Sequence, residues 1–407
     1  MVSCKGRTRS CVVLCVVGIL NCSALLVMLL FYDLNIPVIR ERVTNELVNF
    51  TLRCGCENNT STKCFSAINA SHSDIPRCRR NETKYPSVQR NATFENVRGA
   101  LSGFTSLKDL YDTIDRNWSF NATEADNWGS VLGRYCNTSG LFLVTGENVQ
   151  PGQELRYTVH LNYTYAITRE IHQRFIKKMP YQQKAFKKCS LVGNSGILLG
   201  SKCGKAIDNA DYIFRYNVAP VRGYSEDVGS KTNLVTCNPS ILKHQFDRLN
   251  EQGSERFEKY MTKEYDNAYV LVSAFSKTPC TKPAFKAHDI LKTTNLKVIY
   301  IHPYFQTLVR TFWTDQKNLV AEMTTSGMTV FTAAMSFCEE VHLYGYWPFA
   351  EDPDGNPTYF HYFNKTATMS SPEKLQAVHH NMPAEFKLYM ALHNKGAIKL
   401  HVGQCDV

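Results

Sequence analysis

No charged residue lies between Arg9 and Asp33, and the chain has no internal repeats and no low-complexity tracts. The first absence leaves a stretch able to enter a bilayer. The second excludes solenoids and repetitive linkers. Acidic residues are short: 36 against 46 Lys plus Arg, a net charge of +10 over 407 residues. That balance favours anionic partners such as phosphates, acidic glycans or membrane surfaces, without choosing among them. Charged residues are only 20% and hydrophobic ones 43%, which excludes a disordered or fibrous chain. Fifteen cysteines are too sparse for a knottin-like scaffold, yet many for a reduced cytosolic enzyme. The length allows two to three units at about 100–200 residues per domain.

The uncharged stretch is CVVLCVVGILNCSALLVMLLFY, residues 11–32. As a helix it spans about 30 Å, one bilayer core. Lys5, Arg7 and Arg9 precede it, so the positive-inside rule puts residues 1–10 in the cytosol and the rest across the membrane. A cleaved signal peptide would have an apolar core of about 7–15 residues, so the reading is an uncleaved transmembrane signal-anchor. Sequons agree with that orientation. They occur at Asn49, Asn58, Asn59, Asn69, Asn81, Asn91, Asn117, Asn121, Asn137, Asn162 and Asn364. The first ten cluster as in a glycosylated lumenal region. Cys4, Cys11, Cys15 and Cys22 fall in the tail or membrane, which leaves eleven lumenal cysteines. Eleven is odd, so at least one is unpaired or bonded to another chain.

Residues 33–100 read as a polar, glycosylated stem. Its Cys54, Cys56, Cys64 and Cys78 fit no common zinc spacing and read as disulfides. The spacing predicts helix around Leu107–Ile114. It also predicts helix over 165–178, where Ile167, Ile171 and Phe175 share a face and Lys177 and Lys178 lie on a solvated side. After Lys188, short apolar runs alternate with helical segments. Strands are expected at 189–193, 212–215, 233–237, 269–275, 297–302, 341–346 and 398–402, with helices at 329–337 and 384–394. This alternation predicts an α/β fold: a largely parallel sheet flanked by helices. Ligands in such sheets gather outside the carboxyl ends of the strands.

Three places could carry chemistry. Gly193-Asn194-Ser195-Gly196 follows the first of those strands. Its glycines are expected to let the backbone approach a ligand, and its amides to bond phosphate or sugar. It matches neither G-x-G-x-x-G nor the P-loop. Thr324-Thr325-Ser326-Gly327 opens a helix; it serves equally as a cap or as a phosphate site. His361 and His380 suit general-base work, or simple packing. Asp352-Pro353-Asp354 resembles a metal-holding Asp-X-Asp. It continues into Gly355, and Pro-Asp-Gly reads as a turn.

Together these pieces resemble the sialyltransferases, most closely the α-2,8 branch of ganglioside and short oligosialic type. The long motif is similar to CSLVGNSGILLGSKCGKAIDNADYIFRYNVAPVRGYSEDVGSKTNLVT at 189–236, followed by CNPS. The second is similar to TTSGMTVFTAAMSFCEEVHLYGYWPF at 324–349, the third to HYFN at 361–364, and the last to HNMPAE at 380–385. The resemblance implies a motif-bearing core at 180–407 within a lumenal catalytic domain at 101–407. The fold implied is Rossmann-like, a GT-A-like variant. The place implied is the Golgi membrane, as a single-pass type II protein.

The activity implied is inverting transfer from CMP-sialic acid to a sialylated glycolipid or glycoprotein, with no metal, no other cofactor and no nucleic acid partner. By the same resemblance Asn194, Ser195 and Asn217 contact the donor. Thr325, Ser326 and Gly327 cradle its phosphate and Trp347 walls its pocket. His361 stabilises the leaving phosphate, and His380 is the base. Cys189 pairs with Cys338 and Cys203 with Cys405. Cys237 is left as a free thiol or in an unusual bridge.

The chain departs from the family at Tyr216, where cysteine is usual, and in the order Thr325-Ser326. Phe363 and Asn364 replace Tyr and Asp. Whether the Asn364 sequon carries a glycan that restricts acceptors, or goes unused, is left open. Alternatives are an enzyme of another linkage, a Golgi lectin or partner subunit without turnover, and a metal-dependent transferase using Asp352 and Asp354. Glycolipid or glycoprotein preference and homo-oligomer formation are not legible.

Overall fold

The computed structural model describes residues 106–316, 319, 323–368 and 380–405. The expected tail, the anchor at 11–32, the stem at 33–100 and the sequons from Asn49 to Asn91 lie outside the described residues. No helix among the described residues is long and apolar enough to cross a membrane. Asn117, Asn121, Asn137 and Asn162 are exposed.

Two short runs set the centre of the fold. YIFR and LVTC are buried at every position, which requires cover on both faces of a sheet. They form β4 (Tyr212–Arg215) and β5 (Leu234–Cys237). The other main strands are β3 (Phe186–Val192), β6 (Tyr269–Val272), β7 (Lys297–Tyr300), β8 (Cys338–Tyr344) and β11 (Lys399–His401). All seven run parallel in the order β11-β8-β3-β4-β5-β6-β7. Each corresponds to an expected strand. Successive strands step away from β3 in one direction, and β8 returns to its other side. The order therefore switches between β3 and β8, where open α/β sheets place their ligands.

Among the described residues six longer helices cover the sheet: α1 (Ala122–Tyr135), α2 (Glu251–Glu264), α3 (Thr281–Leu291), α4 (Pro303–Thr311), α5 (Ser326–Phe337) and α6 (Met382–Asn394). In α5 every residue from Met328 to Phe337 is buried, so it is an interior helix. It lies so close to α1 that a Cβ on Gly129 would sit 2.3 Å from the Met335 carbonyl oxygen. The helix runs straight into β8 at Cys338. That is why β8 starts three residues earlier than its apolar run suggests.

The expected helix over 165–178 does not form. Residues 164–166 are instead β2 (Thr164–Ala166), paired antiparallel with β1 (Glu154–Arg156). Only one helical turn follows, Arg169–His172, capped by the Thr168 hydroxyl. The Ile167 N–H is taken by the Gln153 carbonyl and its own carbonyl accepts from Gly152, so the backbone is committed to the hairpin. Ile167, Ile171 and Phe175 are all buried nonetheless. The apolar spacing was satisfied by a hairpin and a turn in place of a helix.

Both expected bridges are present. Cys189–Cys338 ties β3 to β8 across 149 residues of sequence, and Cys203–Cys405 holds the carboxyl-terminal segment across 202. Cys237 is a buried free thiol, and burial pushes it up to about 12. Cys136 and Cys280 are also thiols.

Candidate active site

The loop after β3 and the loop after β8 leave the sheet side by side. The Gly193 N–H donates to the Tyr344 carbonyl at 2.7 Å, and the Ser195 N–H to the Gly345 carbonyl at 3.2 Å. A Cβ on Gly193 would lie 2.3 Å from the Gly345 oxygen, and one on Gly196 about 2.6 Å from the Tyr359 oxygen. Backbone packed against backbone by itself requires glycine at both positions.

Asn194 donates from Nδ2 to the Tyr216 carbonyl at 3.0 Å. Asn217, at φ 55°, follows β4 and donates its N–H to Thr236 Oγ1 at 3.0 Å. In both residues the side-chain Oδ1 is buried and meets no hydrogen-bond donor of the described residues. A buried polar atom without a partner costs about 1–3 kcal/mol. Two such acceptors at the carboxyl ends of adjacent strands suit a ligand that donates hydrogen bonds, as a cytosine amino group or a sugar hydroxyl does. Ser195 is buried too, but its hydroxyl accepts from the Ile197 N–H and caps a short 3₁₀ turn.

At the head of α5, Thr325 is the cap. Its hydroxyl accepts from the Met328 N–H at 3.0 Å and donates to Glu385 Oε2 at 2.5 Å. The Thr325 N–H donates to Glu385 Oε1 at 2.8 Å. Ser326 Oγ donates to Asn238 Oδ1 at 3.3 Å, across from the end of β5. A Cβ on Gly327 would touch the Tyr346 ring at 3.3 Å, and the Tyr346 hydroxyl donates to the Tyr216 hydroxyl at 2.6 Å. The Thr325 side chain is thus occupied by helix and carboxylate. What this end of α5 can offer an anion is the first-turn N–H groups of Ser326 and Gly327 and the positive end of the helix dipole.

Sequence reasoning missed Glu385. In the first turn of α6 it reads as an ordinary dipole-favoured carboxylate, and nothing in the sequence marks it as buried. It is only 3% exposed. Burial pushes its pKa up to about 7, although the two Thr325 hydrogen bonds pull it down. The folded protein therefore holds this proton more tightly than the unfolded chain does. The stability it contributes is fully present below the ordinary value of 4.5 and is lost as pH rises through about 7. Glu385→Gln never ionises. The unfolding free energy of the variant minus that of the parent is expected to grow from pH 4.5 to 7, by at most about 1.4 kcal/mol per pH unit. Urea midpoints over that range measure it; parallel curves would show that Glu385 does not titrate there.

His380 lies two residues before α6, next to its cap Asn381. Its Nδ1 lies 2.9 Å from the Met323 carbonyl. A carbonyl only accepts, so Nδ1 carries the hydrogen and, in the neutral ring, Nε2 carries the lone pair. His361 ends β9 (Tyr359–His361), which pairs with β10 (Asn364–Thr368) in a hairpin. The hairpin is fastened to the asparagine loop: the Tyr362 N–H donates to the Asn194 carbonyl at 2.9 Å, and its hydroxyl to the Pro220 carbonyl at 2.7 Å. The His361 ring stacks on Phe363 at 4.9 Å.

Two continuous sets of contacts result. One runs from the His361 hairpin through Asn194, Tyr216 and Tyr346 to Gly327. The other joins Asn238 to Ser326, Thr325 to Glu385, and Met323 to His380. Trp347 stands apart: 2% exposed, it packs on Phe349 and Phe386 and donates its indole N–H to the Glu351 carbonyl. It is a core residue, not an open pocket wall. Asp352 accepts from the Asp354 and Asn356 N–H groups, and Gly355 sits at φ 84°, so this segment is the expected turn. A cavity of about 750 Å³ beside Lys202, Lys205 and Ser230 lies by the amino ends of β4 and β5 and contains none of the site residues.

Comparison with known proteins points to one family. The profile of "Glycosyltransferase family 29 (sialyltransferase)" matches residues 143–397. Human "Alpha-2,8-sialyltransferase 8E" is 36% identical over 292 residues, 71% of this chain and 75% of that protein. Mouse "Alpha-2,8-sialyltransferase 8F" is 33% identical over 292 residues, 71% of each. A solved mammalian sialyltransferase aligns at 20% identity and a TM-score of 0.37, over 71% of this chain and 88% of that one.

Proposed function

The chain belongs to glycosyltransferase family 29, the sialyltransferases, and on that premise we propose that it is an α-2,8-sialyltransferase. It transfers sialic acid from CMP-sialic acid to a glycan that already ends in sialic acid, carried on a glycolipid or glycoprotein. It works in the Golgi lumen, on a type II membrane anchor at 11–32, as a GT-A-like variant of the α/β fold.

The proposed reaction is a single inverting displacement. The acceptor hydroxyl oxygen bonds to the anomeric carbon as the bond from that carbon to the CMP phosphate breaks. His380 Nε2 takes the hydroxyl proton, and CMP leaves with the bonding electrons. The transition state is oxocarbenium-like, so the site needs a base on one face and anion stabilisation on the other. The head of α5 and His361 supply the second. Asn194 and Asn217 hold the nucleotide through their buried amide oxygens. With N–H groups, a helix dipole and an imidazole holding the phosphate, no metal is required. The observation that carries this reading is the His380–Met323 hydrogen bond, which puts the hydrogen on Nδ1 and so, in the neutral ring, the basic lone pair on Nε2.

The test is a transfer assay with the full chain in detergent, using a sialylated glycolipid and a sialylated glycoprotein, with and without EDTA. Expected is α-2,8 transfer that EDTA leaves unchanged. Loss of activity in EDTA would revive Asp352 and Asp354. Binding of CMP without transfer to either acceptor would favour a lectin.

A further inference from the structure

The β9–β10 hairpin turns in two residues, Tyr362 and Phe363, so His361 and Asn364 are register partners. Such partners project from the same face of an antiparallel pair, with Cβ atoms about 4.5–5.5 Å apart. Asn364 also opens the tripeptide Asn364-Lys365-Thr366, an N-glycosylation acceptor. Its Oδ1 accepts from the Thr366 N–H at 3.1 Å and from Thr366 Oγ1 at 2.7 Å. Both bonds engage the oxygen, whereas a sugar attaches to Nδ2. An amide keeps its carbonyl oxygen when its nitrogen is glycosylated, so both bonds survive the modification. Lys365 and Thr366 are exposed, so the hairpin edge opens to solvent.

We propose that Asn364 carries an N-linked glycan, and that this glycan crowds the approach to the site beside His361. In the attachment step Nδ2 bonds to the anomeric carbon of an oligosaccharide and loses a proton. The bond from that carbon to its lipid pyrophosphate breaks, and the lipid pyrophosphate leaves with the electron pair. The consequence is steric. An acceptor reaching in as a slender terminal sialic acid passes the glycan, while a crowded, branched glycoprotein is held off. The four sequons at Asn117, Asn121, Asn137 and Asn162 lie outside this hairpin. Occupancy of Asn364 rests on the lumenal placement but not on the proposed reaction; the effect on acceptors rests on both.

The experiment uses the full chain from a glycosylating cell. Glycopeptide mass spectrometry reads Asn364 directly. Thr366→Ala and Asn364→Gln each remove the sequon, Thr366→Ser keeps it, and enzymatic deglycosylation of the native protein removes the sugar without mutation. Transfer is measured to a free sialylated oligosaccharide and to a branched sialoglycoprotein. Expected is a glycan on Asn364, lost in both sequon variants and kept in Thr366→Ser. With it goes a rise of about fivefold or more in kcat/KM for the glycoprotein relative to the oligosaccharide, at unchanged KM for CMP-sialic acid. Native deglycosylation should raise the same ratio. An unmodified Asn364 overturns the proposal. A glycan whose removal leaves the ratio unchanged overturns its acceptor half. A glycan found on an enzyme that transfers to neither acceptor supports occupancy and counts against the proposed function alone.

Discussion

His380→Ala is expected to lower kcat by about 10²–10⁴, the usual contribution of a positioned general base, with little change in KM for the donor. The donor contacts assigned to Asn194 and Asn217 do not involve the imidazole. Alanine, however, removes two things at once: the lone pair on Nε2 and the bond that ties Met323 to the start of α6. His380→Asn separates them. An asparagine amide can donate to the Met323 carbonyl and has no basic nitrogen. The Asn variant should therefore keep the parent's thermal midpoint and donor KM while losing as much rate as the Ala variant. Steady-state kinetics and melting curves on the three proteins decide the matter. An Asn variant that retains most of the rate would show that position 380 acts by holding the 323–325 segment and takes no proton.

The second large effect concerns stability. Replacing Cys189 and Cys338 together by serine is expected to destabilise the folded domain by about 2–5 kcal/mol, since the bridge restricts the unfolded chain across a long loop. That corresponds to a fall of roughly 5–15 °C in the melting midpoint. The placement makes it a functional matter as well. Cys189 lies in β3 four residues before Gly193, and Cys338 follows directly on α5. The bridge therefore fixes the strand that leads to Asn194 against the helix that begins at Ser326. In residues 33–407 expressed as a secreted domain, Cys338→Ser alone is expected to abolish secretion of active protein, because it also strands a thiol inside the sheet. A double variant with the parent's midpoint and full activity would show that the bridge holds neither the fold nor the site.

The parallel sheet was legible because its strands are continuous apolar runs. A strand covered on both faces needs no alternation, and YIFR and LVTC could be little else between helical segments. The segment at 165–178 was misread because apolar residues at helical spacing can equally be buried by a hairpin followed by one turn. Only the pairing of Leu155 with Tyr165 distinguishes the two, and pairing is a long-range fact. Gly193 was visible as a special position, but its reason was not: the carbonyl it must clear belongs to Gly345, far along the chain.

By itself, then, the sequence determined the order of the seven sheet strands and the helices at 329–337 and 384–394, the motifs that identify the family, and the residue types of the candidate site. The tertiary structure decided what each of those residues does. It buried Glu385 against Thr325, put Trp347 in the core, left the oxygens of Asn194 and Asn217 without donors among the described residues, and set Asn364 beside His361. The physical reason is one of range. Apolar patterning and capping act over a few residues and are written locally, whereas burial, hydrogen-bond satisfaction and register depend on groups that meet only when the chain has folded.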